Sequence, residues 1–313
     1  MKKILFPMFI LLLAVTACKE DKPAEKIELN SASDRLAYSL GADHARSISE
    51  SGDPYFSRYN VDEIVKGFED GLKNEKAFDE GCKSTMNGLF GPTGQAFDTT
   101  YLKEGSLCLG KLSGMVFQTS WKQKGAMDKI DLKNVIIGFK HGLTGTDTIL
   151  SKAEQSQIIQ DFFEDLNKIN GTKMLDNAKK QDNVEVTSSG IILETIELGK
   201  GGKPAPGDDV LAHYILMNSM GDTLQSSFDM VEKYNQPLNP FSLAAVVPGW
   251  QQGMPLMNKG GKYKLYLPYN LAYGERGMFN QQTNSYDIQP YESLVFYIEL
   301  IDYGKPGTLS AKK

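Results

Sequence analysis

Gly207-Asp208-Asp209-Val210-Leu211-Ala212-His213-Tyr214 is the stretch on which the reading of this 313-residue chain turns. Just before it, Gly199, Gly201, Gly202, Pro204, Pro206 and Gly207 punctuate a loop, because glycine and proline favour turn conformations over regular structure. Beyond the loop, 210–217 alternates with the period of a half-buried strand, as do 190–198, 262–267 and 293–303. Short β segments at that spacing predict an antiparallel sheet packed on a short helix over 182–305, followed by a tail at 306–313.

Outward from there, towards the N-terminus, 31–181 shows helical periodicity instead, and two stretches look alike. Tyr38-Ser39-Leu40-Gly41 is followed by Asn60-Val61-Asp62-Glu63-Ile64-Val65-Lys66-Gly67-Phe68 and then Gly71-Leu72. Leu107-Cys108-Leu109-Gly110 is followed by Asp131-Leu132-Lys133-Asn134-Val135-Ile136-Ile137-Gly138-Phe139 and then Gly142-Leu143. Asn60 and Asp131 are natural N-caps, so each unit reads as a helix pair, duplicated once. The glycine-containing segment between them, about 75–104, reads as a loop or insertion. Ser151-Lys152-Ala153-Glu154 is a capping box that opens a long helix. Its apolar stripe of Ile158, Ile159, Phe162, Phe163, Leu166 and Ile169 suits either the chain's own core or another subunit. The expected class is α+β: a helical N-terminal domain with a long linking helix, then an antiparallel β-sheet wrapped on a short helix.

At the N-terminus, Lys2 and Lys3 precede an apolar stretch over 4–15 that is short for a bilayer span. Thr16-Ala17 then leads into Cys18, an arrangement that resembles a bacterial lipoprotein signal. By that resemblance 1–17 is removed, Cys18 carries a lipid that makes the membrane a partner, and 18–30 is a tether. An ordinary cleaved signal or an uncleaved anchor is the alternative. Lys19 beside the lipidated cysteine fits an outer-membrane lipoprotein, and Lys19-Glu20-Asp21 resembles a surface-export signal; the periplasmic and surface faces both stay open. In that oxidising compartment Cys82 and Cys108 stand either as a disulfide or as two buried or free thiols.

Composition excludes more than it assigns. Lys and Arg total 34 against 39 Asp and Glu, so no basic excess exists to neutralise nucleic-acid phosphates. Three His and three widely spaced Cys argue against a zinc site or a His-based catalytic centre. No metal and no cofactor are expected, and any activity must work without titrating groups.

Five ordered blocks carry a family resemblance. The opening stretch, through Tyr214, resembles a strand of the FKBP-type peptidyl-prolyl cis/trans isomerases. Val246-Val247-Pro248-Gly249-Trp250-Gln251-Gln252-Gly253 resembles their helix entrance. Met257-Asn258-Lys259-Gly260-Gly261-Lys262-Tyr263 and Leu267-Pro268-Tyr269-Asn270-Leu271-Ala272-Tyr273-Gly274 match the next two blocks, and Ile288-Gln289-Pro290-Tyr291-Glu292-Ser293-Leu294-Val295-Phe296 matches the closing loop and strand. The two-part layout resembles the dimeric macrophage-infectivity-potentiator class, whose helical domain dimerises, and so implies a homodimer.

The resemblance implies an enzyme acting on proline-containing polypeptides of the envelope. Trp250 would floor a pocket walled by Tyr214 and Phe296, with Val246 and Ile288 at the rim. The Val247 N–H and the Tyr273 hydroxyl would hold substrate carbonyls. Leu224-Gln225-Ser226-Ser227 stands where the family has Phe-Asp-Ser-Ser, which makes Leu224 the substitute wall and Gln225 the neutral replacement of a buried carboxylate. Phe228-Asp229 could take those places only if the loop slipped. A second pocket aromatic, expected near Leu238, is missing, and the loop over 275–287 is enlarged and polar. The alternative favoured by Leu224 and Gln225 is a non-catalytic chaperone or peptide-binding lipoprotein.

Overall fold

Polar caps start the helices where the sequence places them. In the computed structural model, which describes residues 27–90, 97–146, 149–283 and 285–311, the Ser31 hydroxyl accepts from the Asp34 N–H at 3.0 Å. The Asp34 carboxylate accepts in return from the Ser31 N–H at 2.9 Å, opening α1 (Ala32–Ser49). Asn60 caps α2 (Val61–Lys73) by accepting from the Glu63 N–H. Two further helices follow, α3 (Glu80–Phe90) and α4 (Leu102–Gln123). Asp131 then caps α5 (Leu132–Thr144), which ends at Gly145 with φ of 66°. A second reciprocal box, Ser151 with Glu154, opens α6 (Lys152–Ala178). Each such cap contributes about 1 kcal/mol by satisfying N–H groups that the helix leaves open. The signal-like segment, Cys18 and Lys19-Glu20-Asp21 lie outside the described residues.

One expectation changes in the helical part, and the pairing of the repeats is defined. The segment between the repeats, read as a loop, contains α3, and Cys82 on α3 is disulfide-bonded to Cys108 on α4. The repeats also do not close on themselves: α1 packs along α5 and α2 along α4. Phe68, Phe139, Phe117, Ile64 and Val135 fill the core between them. The α6 stripe belongs to this core, with Phe162 and Phe163 lying 6.0 and 5.5 Å from the Trp121 ring and Leu166 buried. Only its last member, Ile169, is exposed, at 56%.

The second half is a sheet built from β1 (Val184–Val186), β2 (Ile192–Glu197), β3 (Asp209–Met217), β4 (Thr223–Ser226), β5 (Phe241–Ser242), β6 (Lys262–Leu267) and, last in sequence, a long strand of residues Leu294–Gly304. Before that strand, β7 (Met278–Asn280) and β8 (Ser285–Ile288) form a separate hairpin in the loop read as polar, so the long strand is β9. The order is β1-β2-β6-β9-β3-β4, with β5 on the side of β3, and every pairing is antiparallel. Alternation sends Val210, Ala212, Tyr214 and Leu216 of β3 inward, together with Tyr263, Leu265 and Leu267 of β6. Two short helices complete this half, α7 (Ser227–Glu232) and α8 (Pro248–Gly253). The second lies against the inward face, where Gly249 and Gly253 leave room for the Leu267 and Leu265 side chains. This half docks on α6: the Asn167 side-chain N–H donates to the Pro290 carbonyl at 2.9 Å, and the Lys168 ammonium sits 4.0 Å over the Tyr291 ring.

Candidate active site

Strands β3 and β9 present two rings to the same face. The register opposes Tyr214 to Ile298 and Leu216 to Phe296, so Tyr214 and Phe296 are diagonal neighbours with centroids 6.4 Å apart. Helix α8 brings Trp250 against both, edge-on, at 5.8 Å and 88° from Tyr214 and at 5.3 Å and 77° from Phe296. Edge-to-face contact sets the positive rim of one ring on the negative face of another, worth about 0.5–1.5 kcal/mol per pair beyond burial. Trp250 is 4% exposed, and its indole N–H finds no acceptor among the described residues. A buried donor left unpaired costs about 1–3 kcal/mol, which the fold bears here at the base of an apolar cluster.

The remaining expected residues divide into two groups. Ile288 is buried in the same cluster, and Val246, Val247 and Tyr273 pack against it half-buried. Val247 stands at the mouth of α8: its carbonyl accepts from the Trp250 and Gln251 N–H groups at 2.9 and 3.2 Å. Burial raises the Tyr273 hydroxyl above the ordinary tyrosine range. The Tyr214 hydroxyl is raised by burial first and by neighbouring Tyr273 second. Both phenols therefore stay protonated, and able to donate, past the pH at which free tyrosine ionises.

Leu224 and Gln225 do not join them. Both are exposed on β4, Leu224 at 39%, and the described cluster around Trp250 does not include Leu224. Leu238 is buried but is also not part of that cluster. The loop has not slipped to bring Phe228 in, and the reason is a hydrogen-bond lock. The Ser227 hydroxyl accepts from the Tyr214 N–H at 2.8 Å and donates to the Tyr214 carbonyl at 3.1 Å, pinning the start of α7 to β3. Phe228 is thereby stacked on His213, 4.3 Å away, and His213 leaves β3 on the face opposite Tyr214.

A further aromatic joins the cluster close to Leu238 in sequence: Phe241. It lies 5.7 Å from Trp250 and 5.8 Å from Tyr214, edge-on to each. Its position follows from the two-residue strand β5, in which Phe241 pairs with Val210 and Ser242 with Asp209. Two residues are too few to show a period, so the only trace in the sequence was an aromatic after Pro240. Among the described residues no cluster of His, Cys, Asp and Glu could hold a metal, and no helix is long and apolar enough to cross a membrane.

Known proteins resemble the chain. Residues 200–301 match the family model described as FKBP-type peptidyl-prolyl cis-trans isomerase. The FKBP-type peptidyl-prolyl cis-trans isomerase FkpA of Aeromonas hydrophila is 31% identical over 193 residues, covering 57% of this chain and 67% of that protein. FkpA of Buchnera aphidicola is 32% identical over 216 residues, covering 64% and 80%. The outer membrane protein MIP of Legionella longbeachae is 29% identical over 183 residues, covering 54% and 73%.

Proposed function

The chain belongs to the FKBP-type peptidyl-prolyl cis-trans isomerases, and from that membership we propose that Trp250 and the three rings around it carry its reaction. Amide resonance sets a barrier of about 18–20 kcal/mol to rotation about the peptide bond, and X–Pro bonds interconvert slowly. Twisting the C–N bond removes the charge separation of the planar amide. Apolar surroundings therefore favour the twisted form over the ground state, which is catalysis by differential binding rather than by proton transfer. Scarce His and Cys are no obstacle to such an enzyme.

Trp250 floors the site under the proline ring, with Tyr214, Phe296 and Phe241 as walls and Val246 and Ile288 at the rim. The Val247 N–H and the Tyr273 hydroxyl hold the substrate carbonyls. Substrates are proline-containing polypeptides, and the enzyme assists the folding of cell-envelope proteins. Residues 182–305 form the isomerase domain, and 31–181 the helical domain that carries it. A lipid on Cys18, after removal of 1–17, holds the chain at the outer membrane; the lipoprotein-like signal supports this, as does the relative named outer membrane protein MIP. The non-catalytic reading loses its ground, because Leu224 and Gln225 stand apart from the Trp250 cluster.

The observation that carries the proposal is Trp250, buried and edge-on to three other rings. The test is cis-to-trans conversion of a short X–Pro peptide. The wild-type chain accelerates it, and Trp250→Ala is expected to lose on the order of tenfold or more. Equal rates from the two proteins would sink the assignment.

A further inference from the structure

The two sequence repeats are related in space as well as in sequence, and the relation is an exchange. Aligning them matches Tyr38 with Leu107, Gly41 with Gly110, and Ala42 with Lys111. In the second helices it matches Ile64 with Val135, Gly67 with Gly138, and Gly71 with Gly142. The close approaches obey the same correspondence. A Cβ at Gly41 would strike the Val135 carbonyl, and one at Gly110 the Ile64 carbonyl. Gly67 faces the Leu107 carbonyl as Gly138 faces that of Tyr38, and Gly71 faces Lys111 as Gly142 faces Ala42. Every one of these contacts joins one repeat to the other.

Two pairs of corresponding residues meet each other directly. Phe68 and Phe139 stack with centroids 3.6 Å apart and planes 5° from parallel. His44 and Ser113 share a hydrogen bond of 2.9 Å. A residue meets its own equivalent only on a two-fold axis, which is how an isologous interface between two identical subunits is built. Here both halves of that interface lie on one chain. A single helix pair would leave its glycine stripe open; the second repeat covers it.

The pairing is also biased toward unlike halves. The His44 ring lies among Phe68, Phe117 and Phe139, opposite the small side chain of Ser113. Pairing like with like would set two imidazoles, or two serines, in a space shaped for one of each. The connection between repeats is fastened to α4 at two points, by the Glu75–Lys122 ion pair and by the Cys82–Cys108 disulfide.

We infer that the helical half is a covalent pseudo-dimer that consumes its own self-association surface, so the protein works as a monomer carrying one isomerase domain. This replaces the homodimer implied by the resemblance. The partner of each helix pair is the other copy in the same chain.

The experiment is sedimentation velocity with light scattering on the full mature chain, made lipid-free by Cys18→Ser, over a hundredfold range of concentration. The expected mass is that of one chain throughout; twice that mass at micromolar concentration overturns the inference. A second measurement tests the axis. Ser113→His forces a second imidazole against His44 and is expected to lower the melting temperature while leaving turnover of a short X–Pro peptide unchanged. An unaltered melting temperature would refute the pairing of unlike residues across the axis.

Discussion

Replacing Phe241 with leucine takes away a ring that meets Trp250 at 5.7 Å and Tyr214 at 5.8 Å while keeping most of the apolar volume. Two edge-to-face pairs are worth about 0.5–1.5 kcal/mol each beyond burial, so about 1–3 kcal/mol of ring–ring contact is at stake. If the substrate's twisted bond is held against this wall more tightly than the planar bond, most of that loss falls on the transition state. At about 1.4 kcal/mol per tenfold change in rate, kcat/KM should drop on the order of 5- to 100-fold. Leu224→Ala serves as the contrast. Its side chain is 39% exposed and outside the cluster, so the expected change is below about twofold. Both variants are assayed on a short X–Pro peptide by protease-coupled cleavage or by NMR exchange, with thermal melts alongside to separate lost fold from lost catalysis. Full activity in Phe241→Leu with a tenfold loss in Leu224→Ala would show that the wall has been assigned to the wrong residue.

Gln225→Asp, which restores the acid expected at that place in the family, should leave kcat/KM within about twofold, because residue 225 is exposed; a large gain would mean that the loop closes over the site during turnover. Loss of the Cys82–Cys108 bond in Cys82→Ser/Cys108→Ser should cost about 3.5 kcal/mol, from the 26-residue separation that it closes, visible in the denaturation midpoint while peptide turnover is unchanged. Burial first, and the Asp53 carboxylate second, push the Tyr59 hydroxyl up to about 12. Its folded pKa thus exceeds the unfolded value of about 10, so its contribution is fully present below pH 10 and is lost as pH rises through about 12. Tyr59→Phe should therefore flatten part of the alkaline arm of the stability curve, and an unchanged arm would refute the assignment.

Much of this was legible before any contact was known. Alternation in 210–217 and 262–267 marked two half-buried strands, since a strand's period is fixed by its own backbone. Asn60, Asp131 and Ser151 marked helix starts, because capping is a contact of three residues or fewer. Tyr214, Trp250 and Phe296 were grouped by the five blocks that resemble the FKBP-type family, and β3, α8 and β9 carry them to one face. What the pattern cannot report is which surface a buried face meets. The same glycine-rich repeats would read identically whether each helix pair closed on itself, on another chain, or crosswise as α1 with α5 and α2 with α4.

The loops show the other limit. Whether Leu224, Phe228 or Phe241 faces Trp250 depended on the Ser227 hydroxyl locking onto the Tyr214 backbone and on the two-residue β5 pairing with β3. Likewise, whether Cys82 reached Cys108 depended on α3 folding back along α4. Sequence alone thus determined the long strands and the capped helices, because those follow from interactions within a few residues, while the family resemblance supplied the chemistry of the rings. Tertiary structure decided which rings meet and which repeat covers which, because those contacts join residues far apart in the chain.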